Sequence, residues 1–286
     1  MLNQLLLSLV DGLLIGFVYG VAAMGLTLIW GVMRVINLAH GPIIALAMFG
    51  VYLLFSNLGL NPYLALVLVA IAGLLFGFVI YGVAVHRVIN APHLSSLLAT
   101  FAVNMMLIGT GTAIFTNNVF NVAFDMGQWT LGPLTLPVSR VIAAGAAILV
   151  AAALYLFLYR TQPGKAIRAV ANNRDAAELM GIPSSRVLAL SFGLGTMLAA
   201  VAGGLIATFF PFTILSGGAY ELKSFVIGVL GGLGNPLGAL AGGLVLGALE
   251  GIIPVFMRAT WVPVIEFGLF VLILLVRPSG LFGARQ

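Results

Sequence analysis

The chain has 286 residues, 62% hydrophobic and 7% charged, with a mean hydropathy of +1.20. Soluble domains carry roughly 25% charged residues, so this chain could not cover its own surface in water, and lipid must be its solvent. The formal charge of +5 rests on 12 Lys and Arg, a balance expected of cytoplasmic loops rather than of nucleic-acid binding, and the absence of cysteine excludes a disulfide framework and a thiolate metal site.

A bilayer core about 30 Å thick takes roughly 20 apolar residues per helix. Only helices and closed barrels satisfy their backbone there. Continuous runs such as Leu64 to Val85 lack the alternation of barrel strands, so an all-α polytopic membrane protein is predicted. The first span, 5–31, follows Met1-Leu2-Asn3-Gln4, which lacks the basic region of a cleaved signal peptide; it is expected to persist as a helix. Further spans are predicted at about 42–56, 63–85, 95–116, 138–159, 187–210, 221–232, 237–256 and 261–276. The stretch 221–232 is short for a crossing and suits a re-entrant segment, so eight or nine helices are expected.

Two stretches predict breaks inside the membrane. The first, near 34–42, runs from Arg34 through Asn37, His40 and Gly41 to Pro42. Pro42 suits the first turn of a new helix, whose partly positive N-terminus would point into the protein. A surface loop and a break beside the solute path, with Asn37 and His40 offering hydrogen bonds, are both open readings. The second lies within 221–238, where Gly231-Gly232-Leu233-Gly234-Asn235-Pro236-Leu237-Gly238 ends one helix and starts another. Paired interruptions in two halves often mark a transporter's binding site.

Glycines fall four apart at Gly12, Gly16 and Gly20, at Gly73 and Gly77, and at Gly243, Gly247 and Gly251. Such stripes let backbones approach closely, either within one subunit or between subunits. Asp11 and Glu266 sit near span ends, where the interface hydrates them, and Glu250 has Arg258 as a candidate partner two turns away. No span carries several carboxylates at its middle, and Thr100 and Asn104 would suit the path of a solute without net charge.

The longest polar stretch, 160–186, holds Arg160, Lys165, Arg168, Arg174 and Arg186. With nine spans it shares the cytoplasmic side with Arg87, Arg277 and Arg285, and the N-terminus lies outside. Loop 117–137 would then face outward. Two short helices are predicted in 160–186, from about Gly164 and from about Arg174. Asn173 would cap the second, Asp175 and Glu178 suit its first turn, and Gly181 and Pro183 end it. Leu179, Met180 and Ile182 supply a small apolar face. A helix this short is unstable alone in water, so it leans on its own domain or on a partner. No phosphate loop is present, since Gly164-Lys165 is followed by Ala166, and no catalytic constellation or metal motif appears.

Asp175-Ala176-Ala177 with Gly181 four positions on resembles the Glu-Ala-Ala-x-x-x-Gly loop of ABC importer permeases, with Asp in place of the first Glu. Taken with Gly20 to Trp30, Asn37 to Gly41, Gly164 to Ile182 and Val229 to Gly238, the chain resembles the branched-chain amino acid importer permeases, specifically the LivH-like subunit. The resemblance implies a single transmembrane permease domain over 1–286, multi-pass in the bacterial inner membrane, with a cytoplasmic coupling loop at 160–186. It implies no cofactor or metal, and ATP hydrolysis in separate subunits. It implies as partners a LivM-like second permease, two cytoplasmic ABC ATPase subunits and an extracytoplasmic solute-binding protein. On this resemblance Gly164, Arg168, Asp175, Ala176, Ala177, Glu178, Leu179 and Gly181 carry the coupling, and Asn37, His40, Gly41, Gly234, Asn235 and Pro236 lie near the path. Relatives that carry urea or short amides, and a stand-alone channel or secondary carrier, are the alternatives.

Overall fold

The structure is a computed structural model, which describes residues 1–131, 134–277 and 280–281. Arg285, used above to orient the chain, lies outside them. Eight helices among the described residues are long and apolar enough to cross a membrane. They include α1 (Leu2–Met33), α2 (His40–Leu58), α3 (Pro62–Ile80), continued by a π-helical turn at Tyr81–Val85, and α4 (His93–Phe115). The chain continues through α5 (Val138–Arg160), α6 (Gln162–Asn172), α7 (Arg174–Leu179) and α8 (Ser184–Ala207). It closes with α9 (Ser216–Gly231), α10 (Pro236–Phe256) and α11 (Val262–Val276). The loop between α4 and α5 carries an antiparallel hairpin, β1 (Gln128–Leu131) and β2 (Leu134–Pro137), a local exception to the all-α expectation.

The glycine stripes are used within the chain. A Cβ placed on Gly12 would meet the backbone of Gly247 and Gly251, and one on Gly16 would meet Gly243. Hence α1 and α10 run antiparallel with their backbones in direct contact, as small-residue faces permit. Gly73 and Gly77 of α3 seat against Thr196 and Ala200 of α8, and the Thr196 hydroxyl donates to the Gly73 carbonyl at 3.0 Å. Helix α8 is the centre of the bundle, buried along almost its whole length. The lipid-facing sides of α3 and α4 are correspondingly apolar, with Leu64, Val67, Ile71 and Met106 exposed.

Arg87, Arg160, Lys165, Arg168, Arg174 and Arg186 gather at one end. The Arg174 guanidinium donates to Asn90 at 3.1 Å, tying α7 to the loop that holds Arg87. At the other end Tyr63 donates to the Ser139 carbonyl at 3.1 Å, and Asp11 pairs with Arg140. The N-terminus therefore lies opposite the basic end, the end that the positive-inside rule expects in the cytoplasm.

The short helix predicted over 221–232 begins at Ser216 instead, and the reason lies upstream of it. After α8 the chain turns at Thr208–Phe210 and descends without helical structure to Leu215. Unpaired backbone is tolerated at membrane depth only when buried in protein. Here Phe212 and Phe120 exchange backbone hydrogen bonds of 2.8 and 2.9 Å, and Ser216 accepts from the Thr213 amide at 2.9 Å. Phe49, Phe115, Phe120 and Phe212 close over the segment with ring centroids 4.0–5.1 Å apart. The seventh pass joins the short non-helical segment 208–215 to α9, so the count falls between eight and nine.

Candidate functional site

Helix α1 ends at Arg34, whose φ of 57° and ψ of 28° turn the chain back on itself. His40, the first residue of α2, lies against Ala22, its Nε2 donating to that carbonyl at 2.9 Å. Ala22 is 11 residues before the end of α1, about 16 Å of helix. The stretch near 34–42 is thus a break within the bundle and not a surface loop. Asn37 and His40 are fully buried; Asn37 Oδ1 accepts from the Ala39 amide at 3.2 Å, while Asn37 Nδ2 and His40 Nδ1 have no hydrogen-bond partner. Thr100 donates to the Ile36 carbonyl at 3.0 Å and so ties α4 to the break.

The start of α9 meets the start of α2. A Cβ on Gly41 would strike the Gly217 carbonyl and Glu221, and one on Gly217 would strike Gly41. The Glu221 carboxylate lies against Gly41 at the start of α2, where the helix's first amides are free. Two half-helix N-termini therefore abut inside the protein. Sequence reasoning placed Glu221 at a span end and missed this contact; its signal was a charge pair, Glu221 and Lys223, within otherwise apolar surroundings.

Gly234, Asn235 and Pro236 form the turn between α9 and α10, where Asn235 Oδ1 accepts from the Gly238 amide at 3.1 Å. They do not join Asn37, His40 and Gly41. They line instead a cavity of about 430 Å³ toward the cytoplasmic end, together with Met24 and Leu28 of α1 and Arg168 of α6. A second cavity of about 650 Å³ lies toward the opposite end, lined by Asp11 and Tyr19 of α1, Arg140 of α5, Lys223 of α9, Glu250 of α10 and Glu266 of α11. The two lie on different faces of α1, each bounded by α5 and by the α9–α10 hairpin. Tyr19 and Met24 divide them, about 7.5 Å apart along the helix.

This second cavity gathers charges that the sequence places only one or two to a helix. Carboxylates far apart in the sequence converge on it from three helices. Glu250 pairs with Lys223 across the α9–α10 hairpin rather than with Arg258, and Asp11 pairs with Arg140 of α5. Glu266 is 4% exposed, so its side chain is covered by protein.

At the cytoplasmic end the two predicted short helices are present. The Thr161 side chain caps α6 by accepting from Gly164 at 3.1 Å, and Gly164, Ile167 and Val170 are buried beneath it. Arg168 donates to the Leu158 carbonyl at 3.0 Å and lies 4.4 Å from the Tyr159 ring centre. Asn173 caps α7 by accepting from Ala176 at 3.0 Å, and Gly181, with φ of 81°, ends it. Of the expected apolar face, Ile182 packs on the core while Leu179 and Met180 are 89% and 83% exposed. Asp175, Ala176 and Glu178 are exposed, and Ala177 is buried. The Ser184 hydroxyl, and next the Arg174 guanidinium at 3.1 Å, hold the Glu178 carboxyl below its ordinary range.

Residues 8–275 match the protein family described as "Branched-chain amino acid transport system / permease component". The chain is 30% identical to the high-affinity branched-chain amino acid transport system permease protein LivH of Escherichia coli K12, over 96% of this chain and 94% of that protein. It is 29% identical to the corresponding BraD permease protein of Pseudomonas aeruginosa, over 98% and 96%. A probable LivH of the archaeon Methanocaldococcus jannaschii is 28% identical, over 91% and 87%.

Proposed function

The chain belongs to the branched-chain amino acid transport system permease family, and on that premise we propose that it forms half of the translocation pathway for branched-chain amino acids in an ATP-driven importer. It is a multi-pass permease of the bacterial inner membrane. The other half of the pathway is a LivM-like permease, a soluble extracytoplasmic protein delivers the solute, and two cytoplasmic ATPase subunits supply the hydrolysis. The whole chain acts as one permease domain, and the loop 160–186 is its coupling element.

One observation carries the coupling role. Leu179 and Met180 project from the end of α7 at the basic end, although Ala177, one turn back, is anchored in the protein. Two large apolar side chains held out by a capped and pinned helix suit insertion into a cleft on another protein. Movement of α7 passes to the bundle by two routes. Arg174 and Glu178 both reach Ser184 at the start of α8. Arg168 of the adjoining α6 lines the same cavity as Gly234, Asn235 and Pro236. By this route closure of the ATPases alters the cytoplasmic mouth of the pathway. The abutting starts of α2 and α9, with Asn37, His40 and Gly41, form the rigid floor beside the path.

The test uses the absence of native cysteine. A Leu179→Cys variant, expressed with the native transport system and treated with a short bifunctional thiol-to-amine reagent in membranes, is expected to crosslink to a nucleotide-binding subunit. Leu149→Cys, 72% exposed on the lipid face of α5, serves as the control. Crosslinking from Leu179→Cys no stronger than from Leu149→Cys would overturn the coupling role.

A further inference from the structure

The larger cavity is unusual for its charge in an apolar bundle. Asp11, Glu250 and Glu266 face Arg140 and Lys223 within it, so one carboxylate is in excess. Intramembrane charges are expensive and tend to mark substrate or ion pathways. Glu266 is more than nine-tenths buried and lines the cavity, yet its Oε1 has no hydrogen-bond partner; Asp11 Oδ1 is also without one. A buried carboxylate oxygen left unpaired costs free energy that a bound donor would recover.

The two cations keep capacity to spare. An ammonium carries three donors and a guanidinium five. One Lys223 donor is spent on Glu250, and one Arg140 N–H on Asp11. The lysine ammonium also lies 4.7 Å from the Tyr19 ring centre, and Arg140 lies 5.4 Å from that of Phe210. Between these groups the walls are apolar or aromatic, with Ile15, Tyr220 and Val262 among them. The volume of about 650 Å³ falls in the range of roughly 300–1,000 Å³ usual for small-molecule sites.

We infer that this cavity is a solute-binding vestibule that takes the α-ammonium of an amino acid against Glu266, with the solute carboxylate held by the free donors of Lys223 and Arg140. The inference rests on the reading of the chain as an amino-acid permease and adds the group by which the solute is recognised. An ammonium on Glu266 offsets the charge of that carboxylate and satisfies the unpaired oxygen. A neutral amide does only the second, and a carboxylic acid without an amine does neither. The site therefore discriminates by the amine.

The test is photolabelling of the permease in lipid nanodiscs with a diazirine analogue of leucine, with the labelled peptides mapped by mass spectrometry. Label is expected on α1, α9 or α11 around Tyr19, Lys223 and Glu266. Leucine and isoamylamine should compete for it, and 4-methylpentanoate and isobutyramide should not. Glu266→Gln is expected to reduce labelling about ten-fold, the scale of one charge-assisted hydrogen bond, and Glu266→Asp to retain most of it. Should Glu266→Gln fail to fold, the competition series alone decides the matter. Equal competition by 4-methylpentanoate, labelling that does not map to the cavity, or no saturable labelling would overturn the inference. Leucine uptake by cells carrying the whole transport system is measured in parallel. Normal uptake with a failed competition series sinks this site alone, whereas absent leucine uptake sinks the substrate reading beneath it.

Discussion

The carboxylate of Glu221 lies against Gly41, so a side chain from one interrupted helix sits at the beginning of the other. Without an acceptor there, the free amides at the start of α2 would be left unsatisfied within the protein. Glu221→Ala should therefore lower thermal stability by about 1 kcal/mol, the usual worth of an N-cap, and Glu221→Gln by less, since its amide oxygen can also accept. Gly41→Ala should cost more, about 1–3 kcal/mol of overpacking, because its methyl would strike the Gly217 carbonyl. Melting curves of the purified protein in detergent check both; a Gly41→Ala variant as stable as the parent would refute the close contact.

The glycine stripes allow a contrast within one molecule. Gly247→Ala would force α10 away from Gly12 and Gly16 of α1, whereas a methyl on Gly145 of α5 or Gly109 of α4 meets nothing within 4 Å. We expect Gly247→Ala to lose about 1–3 kcal/mol. Gly145→Ala and Gly109→Ala should gain a few tenths to about 1 kcal/mol through reduced chain entropy. Fluorescence-detected size-exclusion after graded heating would rank the three.

Lys223 and Glu250 pair across the α9–α10 hairpin. Removing one partner leaves a desolvated charge, which costs on the order of 3 kcal/mol, whereas an apolar replacement of both is close to neutral. Lys223→Met should thus be strongly destabilised, and Lys223→Met with Glu250→Leu should recover most of the loss. Thermal melts of the single and double variants measure the coupling.

Gly181 has open space around it, so its φ of 81° and not crowding opposes a side chain there. Gly181→Val should strain the exit from α7 by about 1–2 kcal/mol while leaving membrane insertion intact. ATP-dependent leucine uptake by the assembled system should fall at unchanged permease abundance; unaltered uptake would count against a mechanical role for this turn.

The Ser184–Glu178–Arg174 cluster predicts a pH response. The Glu178 pKa is lower in the folded state than in the unfolded chain. Its contribution is present above the ordinary carboxylate range and is lost as pH falls below that range through the folded value. Hydrogen exchange across 174–186, corrected for its intrinsic pH dependence, should show protection falling over that acidic window in the parent protein and staying flat in Glu178→Gln.

The order of spans, the break at 34–42, both short cytoplasmic helices and the end at Gly181 were all legible because each is written in local chemistry: apolar run length, Pro42, the Asn173 cap, a glycine in the left-handed region. The charged cavity was not. Asp11, Arg140, Lys223, Glu250 and Glu266 lie on five different helices, and nothing local announces that they meet. The beginning of α9 at Ser216 was hidden for a related reason. Its preceding extended segment is stabilised by Phe120 and by Phe49, both distant in the chain. The inward fate of all three glycine stripes likewise depends on which helices become neighbours, and small-residue spacing is silent on that.

The non-helical segment of the seventh pass also constrains how the chain can be cut. Residues 211–215 cannot rest in lipid by themselves, because their peptide groups need Phe120 and its aromatic surroundings before they leave water. That shelter is built from residues that precede the segment in the chain. A truncated chain beginning at α8 lacks Phe49 and Phe120, and with them the partners of its own interruption.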